Sequence, residues 1–362
     1  MKKALTVVVL ALVLMFAFTA CSQPAAAPEA SADAAPPASE EAPSESAEAT
    51  PEASEEASEE APAASGDELS GINPETGEPW KIGFSAYGQS NEFAVIFGDA
   101  ARAKGEELGV TVDLLDAEYD VNKQLSQLET FITNSYDAII MAPVDASSMD
   151  TAMEQIVDAG IPLICFNVNV EDTSYLDSFV GSDDVEVGEE ITKYACDAIG
   201  GEGKVVVIQG QLGMSAEVDR TTGIDNALAN YPNIEELARK DANWSREEGM
   251  STMENWIQSF GGDIDAVIAE NDEMALGAIQ ALEASGLADD VVVVGVDGLS
   301  DAITSIANGM LDCTYLQDGE GQGSMAVEVA VRILNGGTVD STYMIPWAQI
   351  TSENVADFEG RR

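Results

Sequence analysis

Residues 266–298 read AVIAENDEMALGAIQALEASGLADDVVVVGVDG, and the fold class follows from the pattern of apolar residues within them. The stretch begins with the apolar run Ala266–Ala269 and ends with a second one that contains Val291–Val296. Between them, Glu273–Ala284 carries apolar residues at three- and four-residue spacing, which predicts an amphipathic helix. Continuous apolar runs are typical of strands that are covered on both faces of a sheet. The stretch therefore predicts a strand–helix–strand unit of a parallel sheet.

The same alternation occurs throughout the chain from Trp80 onward. The candidate strands are Lys81–Tyr87, Val110–Leu115, Ala138–Ala142, Pro162–Phe166, Lys204–Gln209, Ala266–Ala269 and Val291–Val296. The candidate helices include Phe93–Leu108, Asn122–Asn134, Ser148–Ala159, Val185–Ile199, Gly249–Phe260 and Glu273–Ala284. About nine strand–helix units are too many for one hydrophobic core, so we predict an α/β protein with two domains.

The N-terminus has the pattern of an export signal. Lys2 and Lys3 precede an unbroken run of apolar or small residues, Ala4–Ala20, which is too short for a comfortable membrane span. A small residue followed by Cys21 at the end of this run resembles the bacterial lipobox. The resemblance implies that residues 1–21 form a lipoprotein signal peptide and that Cys21 becomes the lipidated first residue of the mature chain. The alternative is an ordinary secretory signal in which the cysteine is incidental.

Residues 22–70 differ in composition from the rest of the chain. They consist almost entirely of Ala, Pro, Ser and Glu, and they contain acidic residues but no basic ones. Because they have almost no large apolar side chain, burial cannot offset the entropy of ordering. We predict a disordered tether between the membrane and the folded part. The predicted location is outside the cytoplasm, on a lipid anchor, in a periplasm or on the outer face of a single-membrane cell.

Composition excludes several classes of function. The 66 acidic and 15 basic residues give a formal net charge of -51 at pH 7, which argues against a nucleic-acid partner. The chain has no histidine, so Ser-His, Cys-His and His-ligated metal mechanisms do not apply. Residues 198–204 resemble a phosphate loop, but Val205 stands where Ser or Thr is needed. We assign Cys165, Cys196 and Cys313 to no disulfide or metal, and we expect no enzyme activity, metal or cofactor.

Polar residues follow the predicted strands in both halves of the chain. They occupy Gln89–Phe93, Pro143–Asp145, Asn167–Asn169, Gln209–Ser215, Glu270–Glu273 and Asp297–Gly298. In open parallel sheets, ligands bind outside the carboxyl ends of the strands. Asn, Asp and Ser also cap helices, and capping alone is a sufficient explanation for any one of these segments. Their repetition in both halves favours a ligand-binding cleft.

Two of these segments carry a resemblance to a known family. Glu270–Ala278, followed by Val293–Gly298, resembles the type I periplasmic sugar-binding proteins of the ribose-binding group, and the similarity runs from about Lys81 to Thr351. It implies two similar doubly wound parallel-sheet domains, joined by a three-segment hinge, with the ligand in the cleft between them. The implied domains are 79–181 plus 318–346 and 182–317 plus 347–362. The implied crossings of the hinge lie near Gly181, Gln317 and Pro346.

The resemblance also implies a set of ligand-binding residues. They are Ser90, Asn91, Glu92, Phe93, Asn167, Arg220, Trp244, Asn271, Asp297 and Gln317. These residue types suit a sugar, because an aromatic ring can cover the apolar C–H face while Asp, Asn and Arg bind hydroxyl groups. Phe93 has an alternative explanation as ordinary helix packing. For Trp244, which lies between polar Asn243 and Ser245, core packing is less expected.

The chain departs from the ribose-binding pattern in the predicted site. Asn167 and Val168 stand where the ribose binders carry an Asp-Arg pair, and Glu92 stands where they often have an aromatic residue. We therefore expect a small neutral sugar or sugar-like polyol, with ribose not the best ligand. A hexose, a modified sugar, a polyol and a furanose signal molecule remain open.

The implied function is capture of this ligand by hinge closure and its delivery to an ABC import permease by a monomeric lipoprotein. One open alternative is a sensor lipoprotein that presents a sugar or furanose signal to a membrane receptor. Another is an amino-acid- or nucleoside-binding member of the same fold. An amino acid needs partners for its carboxylate and its ammonium group, which Arg220 and Asp297 could supply.

Overall fold

The computed structural model describes residues 69–360. The predicted signal peptide, Cys21 and the predicted tether up to residue 68 lie outside the described residues. Within 69–360, no helix combines the length and the apolar character that a membrane span requires.

Strands and helices alternate along the described chain. The first elements are β1 (Lys81–Ala86), α1 (Glu92–Leu108), β2 (Thr111–Asp116), α2 (Val121–Thr133), β3 (Ala138–Met141), α3 (Asp150–Asp158), β4 (Leu163–Asn167) and β5 (Ser178–Gly181). The next are α4 (Asp184–Ala198), β6 (Glu202–Gln209), α5 (Ser215–Leu228), β7 (Asn233–Asp241), α6 (Arg246–Phe260), β8 (Ala266–Ala269), α7 (Asp272–Ser285), β9 (Val292–Val294), α8 (Ser300–Ala307) and β10 (Cys313–Leu316). The last are α9 (Gly319–Leu334), β11 (Thr342–Met344) and β12 (Ala348–Thr351).

The strands form two six-stranded sheets, one in each of two α/β domains. The order is β11-β5-β4-β3-β1-β2 in the first sheet and β12-β10-β9-β8-β6-β7 in the second. Their strand pairs are parallel, apart from the antiparallel pair of β10 and β12. The first five strands of each domain have the same spatial order, so the predicted pair of similar doubly wound domains is confirmed.

The chain passes between the two sheets three times. It crosses after β5, again between β10 and α9, and finally between β11 and β12. Helix α9 packs against α1, β3, β4 and β5, which places it with the first sheet. We propose domain boundaries near Gly181, Gln317 and Pro346, with the ranges 79–181 plus 318–346 and 182–317 plus 347–362, because the sheet partner changes at each of these places.

The central strands are buried because helices cover both faces of each sheet. β3, β4 and β8 have no exposed residue, as their continuous apolar sequences predict. Every predicted strand and helix has a counterpart in the structure, although the ends differ; the predicted strand Val291–Val296, for example, is Val292–Val294. The candidate strands and helices named above do not include β5, α5, β7, α8, β10, α9, β11 or β12. Both sheets direct the carboxyl ends of their parallel strands towards the region where the polar segments lie.

Candidate functional site

A cavity with about 350 Å³ of empty space, part of which is open to solvent, lies between the two domains, at the carboxyl ends of the strands. The cavity wall consists of Tyr87, Asn91, Phe93, Tyr119, Asn167, Val168, Met214, Ala216, Arg220, Trp244, Asn271, Asp297 and Gln317. Amides, one guanidinium and one carboxyl group thus share the wall with aromatic rings.

The structure brings most of the predicted site residues together in this wall. They are Asn91, Phe93, Asn167, Arg220, Trp244, Asn271, Asp297 and Gln317. It places Ser90 and Glu92 outside the wall, because both precede or begin α1 at the rim of the cleft. Ser90 is exposed, and Glu92 accepts a hydrogen bond through Oε1 from the Ser300 hydroxyl on α8 of the other domain.

Asn91 and Asn271 are helix caps and wall residues at the same time. Oδ1 of Asn91 accepts a hydrogen bond from the backbone N–H of Ala94 at 2.8 Å, and Oδ1 of Asn271 accepts one from Met274 at 2.9 Å. Capping therefore fixes the orientation of each amide. Nδ2 of Asn91 donates to the Tyr119 hydroxyl. Nδ2 of Asn271 has no acceptor among residues 69–360, so its N–H groups are available to a ligand in the cavity.

Arg220 is held by a buried ion pair. Its Nε donates to Oδ1 of Asp184 at 2.8 Å, and its Nη1 donates to the carbonyl oxygen of Glu270. Burial raises the pKa of Asp184 to about 6, although the charge of Arg220 acts in the opposite direction. The guanidinium lies 5.6 Å from the ring centroids of both Trp244 and Trp347, within the range of cation–π attraction. The positive charge in the site is therefore largely compensated within the protein.

Asp297 is the acidic residue of the wall. It is 6% exposed, and no donor among residues 69–360 lies within hydrogen-bond distance of its carboxyl group. Burial raises its pKa well above the ordinary value, and the negative charge of Asp272 adds to this while Arg220 opposes it. The amide of Gln317 beside it has no side-chain partner in the same part of the chain. Unpaired buried polar groups are costly, so both groups are suited to binding ligand hydroxyls.

Two other carboxyl groups near the site are used by the protein. Glu270 accepts hydrogen bonds from the Gly210 N–H at 2.7 Å and from the Thr221 hydroxyl at 2.8 Å, and burial raises its pKa to about 8. Asp272 accepts from the Leu299 N–H at 2.9 Å and the Thr314 hydroxyl at 2.7 Å. These two acids hold the loops at the carboxyl ends of the second sheet, and neither lies in the cavity wall.

The aromatic residues of the wall are also packed against the protein. The Trp244 ring lies on Gly210, where an added methyl group would be 2.0 Å from the ring, and Nε1 of Trp244 donates to Sδ of Met214 at 3.2 Å. Phe93 packs edge-on against Phe97, with ring centroids 5.7 Å apart. Phe93 therefore packs within its helix and also forms part of the cavity wall. The rings are rigid surfaces for an apolar ligand face.

Sequence reasoning missed several wall residues. Tyr87 immediately follows β1, and Tyr119 lies in the loop after β2, so the rule that ligands bind beyond strand ends would have selected both. Met214 and Ala216 lie where α5 begins, and the apolar pattern did not indicate that helix. The hydroxyl of Tyr87 donates to Oδ1 of Asn167 at 3.3 Å, which links the two strand ends.

Metal and thiol chemistry find no support in the described chain. Within 69–360, no group of three or more acidic or cysteine side chains is arranged to hold a metal ion. Cys165, Cys196 and Cys313 are free and buried. Burial raises the pKa of the Cys165 thiol to about 12 and that of Cys196 to about 11. Such thiols are poor nucleophiles at neutral pH.

Two α/β domains, crossed three times by the chain, with a small polar and aromatic cavity between them, define a ligand-binding protein of the hinged type. Residues 82–338 match the family described as periplasmic binding protein domain. The chain belongs to this family, and the predicted resemblance is confirmed. Members of the family are binding proteins.

Individual relatives agree with this assignment. The chain is 41% identical to the xylitol-binding protein of Mycolicibacterium smegmatis over 241 residues, covering 66% of this chain and 68% of the relative. It is 34% identical to the ribose import binding protein of Bacillus subtilis over 265 residues, covering 73% and 85%. An ABC transporter solute-binding protein from Bacillus halodurans, solved with bound myo-inositol, superposes with a TM-score of 0.75 at 38% identity and covers 78% of this chain and 97% of its own.

Proposed function

We propose that the protein is an extracytoplasmic solute-binding lipoprotein that captures a small neutral sugar or polyol between its domains and delivers it to an ABC import permease. One observation carries the proposal. The unpaired groups of Asp297, Asn271 and Gln317 surround the cavity, and the Trp244 ring forms part of its wall. Such an arrangement suits a compact molecule with an apolar face and a rim of hydroxyls.

The polar groups of the wall offer both hydrogen-bond donors and acceptors to the hydroxyls of a ligand. The carboxyl group of Asp297 is an acceptor, the Nδ2 of Asn271 is a donor, and the amide of Gln317 offers both. The N–H groups of Arg220 that are not used by Asp184 and Glu270 supply further donors. A hydroxyl can donate and accept, so it satisfies either kind of group, whereas an apolar molecule would leave Asp297 unpaired.

The charges favour a neutral ligand over an amino acid or an anion. Arg220 already forms an ion pair with Asp184, so the carboxylate of an amino acid would have to compete with a buried partner. The strongly acidic chain repels a sugar phosphate. The relatives named for xylitol and crystallised with myo-inositol support a polyol. We propose that ribose is not the best ligand, because Asn167 and Val168 replace the Asp-Arg pair of the ribose binders.

Closure of the hinge is part of the proposal. Wall residues come from both domains, so they surround the ligand together only when the domains are close. Three hydrogen bonds join the domains at the rim. They are Ser300 Oγ to Glu92 Oε1, Asn169 N to Ser215 Oγ, and Ala146 N to Gly213 O. A ligand shifts the hinge equilibrium by its differential affinity for the closed state.

We propose that lipid on Cys21 anchors the mature protein, as a monomer, to the cell membrane. The pattern of residues 1–21 and the tether composition support the anchor. Replacement of Cys21 by Ala should move the protein from the membrane to the soluble fraction after cell lysis. Unchanged membrane association of the variant would contradict the anchor and leave the binding proposal intact.

A thermal-shift panel tests the ligand class. The panel holds xylitol, myo-inositol, ribose, hexoses, amino acids and nucleosides. At a hundredfold excess over its Kd, a ligand adds about 2.7 kcal/mol to the native state. For domains of this size, each kcal/mol raises Tm by roughly 2–4 °C. We expect polyols or neutral sugars to raise Tm, with another ligand ahead of ribose, and the same compounds to have little effect on Asp297→Ala. Shifts with amino acids or nucleosides alone would contradict the proposal.

A further inference from the structure

A series of three hydrogen bonds connects the cavity wall to the hinge. Gln322, on α9, is fully buried, and its Oε1 accepts a hydrogen bond from Nδ2 of Asn167 at 3.0 Å. Its Nε2 donates to the Ser182 hydroxyl at 2.9 Å. Ser182 in turn donates to the carbonyl oxygen of Ile345 at 2.7 Å. Asn167 lies in the cavity wall, whereas Gln322, Ser182 and Ile345 do not.

This series of hydrogen bonds involves all three crossings between the domains. Ser182 belongs to the crossing that follows β5, and Ile345 belongs to the crossing between β11 and β12. Gln322 lies in the first turn of α9, directly after the crossing that follows β10. The backbone N–H of Ile345 also donates to the Gly181 carbonyl at 2.8 Å, so both backbone groups of Ile345 tie the last crossing to the first. One buried amide therefore contacts a wall residue while it orders the hinge.

Gln322 also determines how Asn167 faces the cavity. The amide of Asn167 is fixed on one side by the Tyr87 hydroxyl and on the other by Gln322. An amide has two N–H groups and two acceptor positions, so one of each remains for a ligand, in a plane that these two partners set. Asn167 has φ +61°, a conformation that requires support from the surrounding structure.

We propose that Gln322 is a positioning residue that couples ligand binding at Asn167 to the hinge crossings. The inference rests on the proposed function, because it assumes a ligand in the cavity. Gln322 does not touch that ligand. It orients the amide that does, and it transmits a displacement of Asn167 to Ser182 and Ile345. Loss of Gln322 should therefore weaken binding and loosen the hinge together.

A matched pair of variants separates this role from general stability. Gln322→Met removes both hydrogen bonds and keeps the side-chain length. Gln124→Met is the control, because Gln124 is also fully buried in the first domain and bonds to Ser85, Ala142 and Val144, away from the hinge. Both variants should lose thermal stability. Ser182→Ala is a smaller change that interrupts the same series of hydrogen bonds, in case Gln322→Met does not fold.

The indole N–H groups report the hinge directly. The four tryptophans of the chain are Trp80, Trp244, Trp256 and Trp347. Nε1 of Trp347 donates to the Asp183 carbonyl at 2.7 Å and thus joins two crossings. NMR of 15N-tryptophan protein should show faster hydrogen exchange at Trp347 in Gln322→Met and in Ser182→Ala, without ligand, and an unchanged rate in Gln124→Met. The signal of Trp256, on α6, serves as the internal reference.

Calorimetric titration with myo-inositol and with xylitol tests the other half of the coupling. We expect Gln322→Met to weaken binding about tenfold or more and Gln124→Met to change it less than about twofold. Equal losses in the two variants, or an unchanged exchange rate at Trp347, would overturn the proposal. If neither polyol binds the unchanged protein, the ligand class is wrong, and the exchange rates still decide whether Gln322 orders the hinge.

Discussion

Replacement of Asp297 by Asn should weaken ligand binding and stabilise the ligand-free protein at the same time. The carboxyl group of Asp297 is almost fully buried, has no donor among residues 69–360 and lies close enough to Asp272 for repulsion to contribute to its raised pKa. Asparagine has the same shape and no charge. It removes the repulsion, but it replaces one of the two carboxyl oxygens by an N–H₂ group. A residue that only stabilised the fold would not give opposite signs in the two assays.

The structure allows both magnitudes to be worked out. The loss of one hydrogen-bond partner that leaves a buried group unpaired costs about 1–3 kcal/mol, so the affinity should fall by roughly fivefold to a hundredfold or more. Relief of an unfavourable charge typically stabilises by about 0.5–2 kcal/mol. A gain of about 1 kcal/mol would raise the Tm of the ligand-free protein by roughly 2–4 °C.

The pH dependence gives the sharpest assay for Asp297. Its pKa is raised in the folded state, so the folded protein retains a proton that the unfolded chain has lost. The free energy of unfolding of the parent therefore falls as the pH rises above the ordinary pKa of Asp. The advantage of Asp297→Asn should be small near pH 4 and grow with pH, in urea unfolding of the ligand-free protein. An advantage that is constant with pH, or an unchanged affinity for myo-inositol and xylitol, would refute the reasoning.

Three further substitutions test other features of the site. Burial raises the pKa of Glu270 from 4.5 to about 8, so the free energy of unfolding of the parent should fall between about pH 5 and pH 8. Glu270→Gln should make this fall smaller when urea unfolding is measured across the pH range. An unchanged pH dependence would show that Glu270 is not responsible. Gly210→Ala should displace the Trp244 ring and cost about 1–3 kcal/mol of stability or affinity. Gly262→Ala is the control, because nothing lies within 4 Å of an added methyl group there. Equal Tm values and equal affinities in the two variants would show that the contact between Gly210 and Trp244 does not matter. Ser300→Ala should weaken ligand binding a few-fold by removing the bond to Glu92, whereas Thr304→Ala, one turn further along α8, should leave the affinity unchanged.

The sequence predicted those strands and helices whose buried positions are occupied by apolar side chains, because these give a recognisable apolar pattern. One of the elements that it did not predict, α5, packs against α4 through glycines. A methyl group on Gly188 would lie 2.3 Å from the Arg220 carbonyl oxygen, and one on Gly223 would lie 2.2 Å from that of Val185. Backbones this close leave no room for large apolar residues, so the usual helical spacing is missing. Strand β7 is at the edge of its sheet and mostly polar, and it lacks an apolar run for that reason.

A site residue was predictable where it directly follows a strand and its place in the wall does not depend on the other domain, as for Asn271 and Asp297. It was not predictable where two domains meet. Glu92 has a position in the sequence that suits a ligand residue, but its contact is Ser300, which is distant in the chain and lies in the other domain. Likewise, the partners of Asn167 are Tyr87 and Gln322, and no spacing in the sequence connects them.

The backbone supplies an independent reason to regard this cavity as the functional site. Within residues 69–360, seven residues other than glycine have positive φ, namely Glu118, Tyr119, Ser135, Asn167, Asn243, Trp244 and Asp297. Four of them, Tyr119, Asn167, Trp244 and Asp297, line the cavity. Each such conformation costs about 1–3 kcal/mol and persists only where the surrounding structure enforces it. Glycine would relieve that strain at any of these positions. The side chains that stand there instead are two aromatic rings, an amide and a carboxyl group, the groups that a ligand with an apolar face and hydroxyls needs. The strain is therefore best explained as the energetic cost of aiming these four side chains into one cavity.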